Sequence, residues 1–122
     1  MTWIAVGLGG AVGSALRYGV NIATNRFAGE TVPYATAVVN VVGCLLAGML
    51  LGSVDSSKLD LTDARRAFLF TGILGGFTTF SSLALDTLVL VRNGEGAVAA
   101  LNLGVQLSLG MFAVFLGYWL LK

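Results

Sequence analysis

Gly72-Ile73-Leu74-Gly75-Gly76-Phe77-Thr78-Thr79-Phe80-Ser81-Ser82 lies in the middle of an apolar run that extends over about residues 64–91. A helix needs roughly 20 apolar residues to cross the hydrocarbon core of a bilayer, so the run is long enough to span. A regular lipid-facing helix would not, however, carry two hydroxyl pairs around aromatic residues at its centre. Gly75-Gly76 followed by two β-branched threonines predicts a break in the helix. Inside a membrane the backbone groups that a break frees must be satisfied by protein, water or an ion. The half-helix ends offer carbonyl ligands to a metal ion and amide donors to an anion. The hydroxyls of Thr79, Ser81 and Ser82 can donate to a dehydrating anion, and the aromatic rings present the positive edge of their quadrupole. A kinked packing helix is the other reading of the same residues.

Working outward, three further apolar stretches qualify as spans, at about residues 3–24, 34–54 and 97–121. The expectation is an all-α, polytopic membrane protein: one domain over residues 1–122 with four transmembrane helices, the third broken near its middle. Composition agrees, since 57% of the residues are hydrophobic and 11% charged, against about 25% charged in a typical soluble domain. The net charge of +1 is spread over short clusters between the apolar runs. It leaves no basic stripe for nucleic acid. Cys44 is the single cysteine and histidine is absent, which argues against disulfides and zinc. The first stretch lacks a charged leader and a small-residue cleavage site, so it is expected to be retained as a span. Lys58, Arg65, Arg66 and Lys122 fall on the side of the N-terminus and Arg26 and Arg92 on the other. That bias is weak, and compatible with insertion both ways.

The 17 glycines point to close helix packing. Gly9 and Gly13, Gly48 and Gly52, and Gly72 and Gly76 have the small-xxx-small spacing that lets membrane helices approach one another. Four short helices enclose little interior, so this packing already implies assembly.

Isolated polar residues inside the spans are the remaining candidates. A charge in a membrane span is expensive, so Arg17 either faces water or a partner, or snorkels to the membrane edge. Asn40 stands among Val38, Val39, Val41 and Val42. Its amide needs a partner, across helices as structural glue or within a pore. Asp86, two turns beyond Thr79, is expected at the mouth of the span as a cap or interfacial residue. Gln106 and Ser108 in the fourth span are explained about equally by packing and by transport.

Three segments together resemble the Fluc (CrcB) family of dual-topology fluoride channels. Gly9-Gly10-Ala11-Val12-Gly13-Ser14-Ala15-Leu16-Arg17-Tyr18 is similar to its glycine-rich segment ending in Arg and an aromatic residue. Thr36-Ala37-Val38-Val39-Asn40-Val41-Val42-Gly43 is similar to its Gly-Thr-x-x-Val-Asn-x-x-Gly pattern, with Ala35 in place of the glycine. Gly75-Gly76-Phe77-Thr78-Thr79-Phe80-Ser81 resembles its most specific signature.

The resemblance implies two subunits in opposite orientations, this chain paired with itself or with a paralogue. Two anion pathways would run along their interface in the cell inner (plasma) membrane, with a structural sodium ion at the dimer centre. It maps the sodium ligands onto the backbone carbonyls of Gly75 and Thr78. Asn40 corresponds to the pore asparagine, Phe80 to the first of two pore phenylalanines, Ser81 and Ser82 to the hydroxyl track, and Arg17 to the vestibule arginine. Leu83 stands where the family has its second pore phenylalanine, and Gly110 where a fourth-helix serine aligns.

The activity so implied is passive export of fluoride, giving fluoride resistance. Fluoride is small and strongly hydrated, and a narrow path must supply donors as water is stripped. No nucleotide loop, nucleophile–base pair or mid-span carboxylate suggests an enzyme or a primary pump. A small multidrug-type exporter has similar length and topology, but such exporters carry a glutamate in the first span and this one has no acid. A non-conducting partner subunit is the third alternative.

Overall fold

The computed structural model describes residues 1–30 and 32–122, and these form helices and short turns. Helix α1 covers Thr2–Ala28 and α2 Tyr34–Asp55. Helix α3, residues 63–77, consists of a first turn Asp63–Arg66, a π-helical stretch Ala67–Leu74 and a last α turn Gly75–Phe77. After the extended pair Thr78-Thr79 come α4, Phe80–Arg92, and α5, Gly96–Leu121. The 30 residues from Asp63 to Arg92, together with α2 and α5, are long and apolar enough to cross a membrane. Helix α1 is as long as these, but Arg17, Asn21, Asn25 and Arg26 make it less apolar.

The helices pack as two pairs. Helix α3 lies along α1, and α2 lies along α5. The break moves the chain between the pairs: α3 contacts α1 throughout, whereas α4 leaves α1 and packs on α5. Glycine makes both pairings close. A Cβ on Gly9 would strike Phe68 O, and one on Gly13 would strike Ile73 O. On the partner helix, a Cβ at Gly76 would come within 2.7 Å of Gly10 O. The wider turns of a π-helix push backbone outward, and the glycine face of α1 receives it. In the other pair, Gly48 faces Val114 O, Gly52 faces Tyr118 O, and Gly117 faces Leu45 O, each with no room for a side chain. Backbone approach of this kind replaces the hydrophobic drive that is missing between helices in lipid.

Little is buried by one chain. Val39 is the largest fully buried side chain, and Trp3, Leu101, Phe112, Phe115 and Trp119 are all more than half exposed. The surface of 7585 Å² exceeds the about 6,200 Å² expected of a soluble monomer of this mass. An apolar exterior of that extent requires lipid or other subunits to cover it.

Candidate functional site: a clamped helix break

Thr78 (φ −85°, ψ 156°) and Thr79 (φ −152°, ψ 116°) are extended, a conformation that suits β-branched residues. Gly75 and Gly76 remain helical, so of the residues that predict the break it is the two threonines that form it. Gly76 serves close approach to α1 instead, whereas Gly75 is exposed. Each side of the break has its own closure. Thr78 N–H and Oγ1–H both donate to Leu74 O, each at 3.0 Å, finishing α3. Thr79 Oγ1 accepts from Ser82 N–H at 3.1 Å, capping α4.

An extended residue between two half-helices has no helical partner for its N–H or its C=O, and the cost of leaving such groups unpaired in an apolar setting is high. Asn40 meets both. Its Oδ1 accepts from Thr79 N–H at 2.8 Å, and its Nδ2 donates to Thr79 O at 3.1 Å. Nδ2 also donates to Gln106 Oε1 at 2.9 Å, and Gln106 Nε2 donates to Asn102 Oδ1 at 3.0 Å. Three amides from α2 and α5 thus form one chain that ends on the break.

The hydroxyls gather at the same place. Thr79 Oγ1 lies 3.1 Å from Ser82 Oγ and 3.2 Å from Ser81 Oγ. Thr79 is buried, Ser82 half-buried and Ser81 exposed, so the group leads from interior to surface. Phe80 projects beside it, 75% exposed, and Gly75 is also exposed. Asn40, Cys44, Thr79, Phe80, Leu83 and Gln106 line a cavity of about 260 Å³. Leu83, only 4% exposed, is part of its wall.

The fold therefore brings Asn40, Thr79, Ser81 and Ser82 together, with Phe80 at the edge and Gly75 and Thr78 on the α3 side. Arg17 stands apart. It is half-buried on α1 and makes no hydrogen bond with this group among the described residues. Asp86 accepts from Thr36 Oγ1 at 2.7 Å. Both line a second, polar cavity of about 420 Å³ with Asn21, Asn25 and Glu30, at the far end of α4 from the break.

Gln106 stood in the sequence as a polar residue of either use and Asn102 was missed, although two amides at i and i+4 on one helix face carry the signal. Asn40 and Thr79 are 39 residues apart, and nothing local links them. Chemically the cluster is a set of hydrogen-bond donors without general base or metal-binding side chains: no group of three or more His, Cys, Asp or Glu converges among the described residues. Such a set suits an anion that gives up water.

Comparison with known proteins gives a consistent assignment. The chain is 47% identical over 110 residues to a fluoride-specific ion channel FluC of Parabacteroides distasonis, covering 90% of this chain and 84% of the relative. It is 44% identical to the protein of that name in Thermus thermophilus over 117 residues, 95% of this chain and 91% of the relative. To that of Hyphomonas neptunium it is 39% identical over 120 residues, 98% and 94% of the two chains. Residues 4–118 match the family described as CrcB-like protein, Camphor Resistance (CrcB), and on this coverage and identity the chain belongs to that family.

Proposed function

We propose that this chain is a subunit of a fluoride-selective channel that lets fluoride leave the cell passively, lowering cytoplasmic fluoride and giving fluoride resistance. The observation that carries the reading is the clamped break, an uncharged cluster of amide and hydroxyl donors on a transmembrane helix, in a chain whose relatives bear the name of fluoride channels. A narrow path must replace the hydration of fluoride with donors. Thr79, Ser81 and Ser82 offer hydroxyls from interior to surface, and Asn40 an amide. The exposed ring of Phe80 offers a positive edge. Arg17, away from the cluster, serves as attracting charge near a vestibule.

In this reading α1 is a fourth span. Its 27 residues extend about 40 Å at 1.5 Å per residue, more than the roughly 30 Å of hydrocarbon. The protein resides in the inner (plasma) membrane. A second subunit, in antiparallel orientation and either identical or a paralogue, covers the face that carries Phe80, Ser81 and Gly75. The exposure of these three polar, aromatic and glycine positions on one short segment supports an interface there.

A sodium ion at the centre of that dimer is held by the carbonyls of Gly75 and Thr78. The donor chemistry fits: both are oxygen donors at the C-terminal, negative end of α3, and a hard cation takes oxygen ligands. Two carbonyls per subunit make half a set, which the partner completes. The ion adds a fixed positive charge that ties the two broken helices together.

The test is fluoride efflux from liposomes containing the purified chain, with chloride as control and Phe80→Ile beside it. Fluoride efflux that chloride does not share and the variant loses is the expected result. Efflux that appears only when a paralogous subunit is added assigns the chain to a heterodimer. Absence of any anion flux in both cases removes the channel reading.

A further inference from the structure

The direction of every hydrogen bond in the amide chain follows from one fact: Thr79 N–H can only donate. Asn40 must therefore turn Oδ1 toward it, at 2.8 Å, which leaves Nδ2 facing Thr79 O and Gln106. Gln106 must then present Oε1 to Asn40 and Nε2 to Asn102 Oδ1. The last donor in the series, Asn102 Nδ2, is buried and has no partner among the described residues. In this arrangement both N–H groups of Asn40 are occupied, one by the backbone it clamps and one by Gln106, a side chain only 4% exposed.

Rotating the Gln106 and Asn102 amides by half a turn each reverses the chain. Asn102 Nδ2 then donates to Gln106 Oε1, and Asn102 Oδ1 takes the outer position that Nδ2 had held. Gln106 Nε2 and Asn40 Nδ2 then face each other as two donors with no acceptor between them. A small anion placed there would accept from both. Rotation about a terminal amide torsion is soft, and no backbone need move. The 260 Å³ cavity that Asn40 and Gln106 both line gives Gln106 room to draw back, since a water occupies only about 30 Å³.

Building on the fluoride-channel reading, we propose that Asn40 and Gln106 form a two-donor anion site that Gln106 latches shut when it is empty. Without anion, Gln106 Oε1 stands in for it at Asn40. With anion, the amide turns over and becomes the second donor, while Asn102 takes up the released oxygen. The exchange is a swap of acceptors, so the donors that strip water from the anion are never left bare in the membrane. Gln106 is a specificity residue here because its latch yields only to an acceptor stronger than an amide carbonyl.

The experiment joins flux to a direct view of the amides in the full chain. Fluoride efflux from liposomes is measured for the wild type and for Gln106→Leu, which has neither donor nor acceptor. The side-chain ¹⁵N–¹H signals of the wild-type protein are followed as sodium fluoride is added, with sodium chloride as control. Gln106→Leu loses a donor to a charged group, so its efflux is expected to fall about tenfold or more. The Asn40 and Gln106 amide signals of the wild type should shift with one common midpoint. Wild-type efflux with an equally fast Gln106→Leu, or a Gln106 signal that stays still while that of Asn40 moves, overturns the latch and leaves the channel reading standing. A wild type with neither efflux nor amide shifts overturns both.

Discussion

Asn40→Ala removes the acceptor of Thr79 N–H (2.8 Å) and the donor to Thr79 O (3.1 Å) together. It also strips Gln106 Oε1 of its donor. Interhelical side-chain hydrogen bonds in membranes average only about 0.6 kcal/mol, because polar groups find other partners in the unfolded membrane-bound state. Asn40 should exceed that average. Its partners are backbone groups of an extended residue, and no neighbouring turn of helix can take them over while the break persists. Two buried groups left unpaired cost about 1–3 kcal/mol each, so a loss of about 2 kcal/mol or more is expected. The assay is reversible unfolding in mixed detergent micelles, with amide exchange of Thr79 as the local readout. The variant should unfold at lower denaturant and exchange Thr79 faster. A loss of 0.6 kcal/mol or less with Thr79 still protected would refute the reasoning, because it would mean that the break heals into a continuous helix once the clamp is gone.

Other perturbations test separate parts of the account. Gly117→Ala places a methyl on Leu45 O and should cost about 1–3 kcal/mol, as overpacking does. Gly104→Ala meets nothing within 4 Å among the described residues and should be neutral or stabilise by up to about 1 kcal/mol; the same unfolding assay reads both. Thr79→Val keeps the β-branched shape but removes the cap of α4, with an expected loss of about 1 kcal/mol and slower fluoride efflux in the liposome assay. The proposed sodium site predicts that replacing sodium by potassium lowers the thermal stability of the protein. At a sodium concentration 100 times its Kd the bound ion is worth about 2.7 kcal/mol, and an unchanged melting temperature at that ratio would speak against the ion.

Much of the architecture could be read from residue order. The apolar runs locate the helices, and all three small-xxx-small pairs lie at close helix approaches. The hydroxyl-rich segment does hold a break, yet the glycines that suggested it stay helical and the threonines are extended. Glycine has two uses in a membrane helix, flexibility and closeness, and the sequence does not distinguish them. The π-helical stretch had no signal, since Ala67–Leu74 is apolar apart from Thr71 and its wider turns answer to glycines on α1. The partners of Asn40 lie on helices far along the chain, so its two possible roles could not be separated locally. It acts as glue for the break, and its third hydrogen bond faces the cavity. Thr36 and Asp86, 50 residues apart, pair for the same non-local reason.

Passive, selective fluoride conduction is tested most directly by current through a planar bilayer containing the chain, with fluoride on both sides at unequal concentrations and chloride making up the difference. The expected current reverses at a potential set by the fluoride gradient, does not respond to a proton gradient, and vanishes in Phe80→Ile. A current carried equally by chloride, or transport that requires a proton gradient, would contradict it.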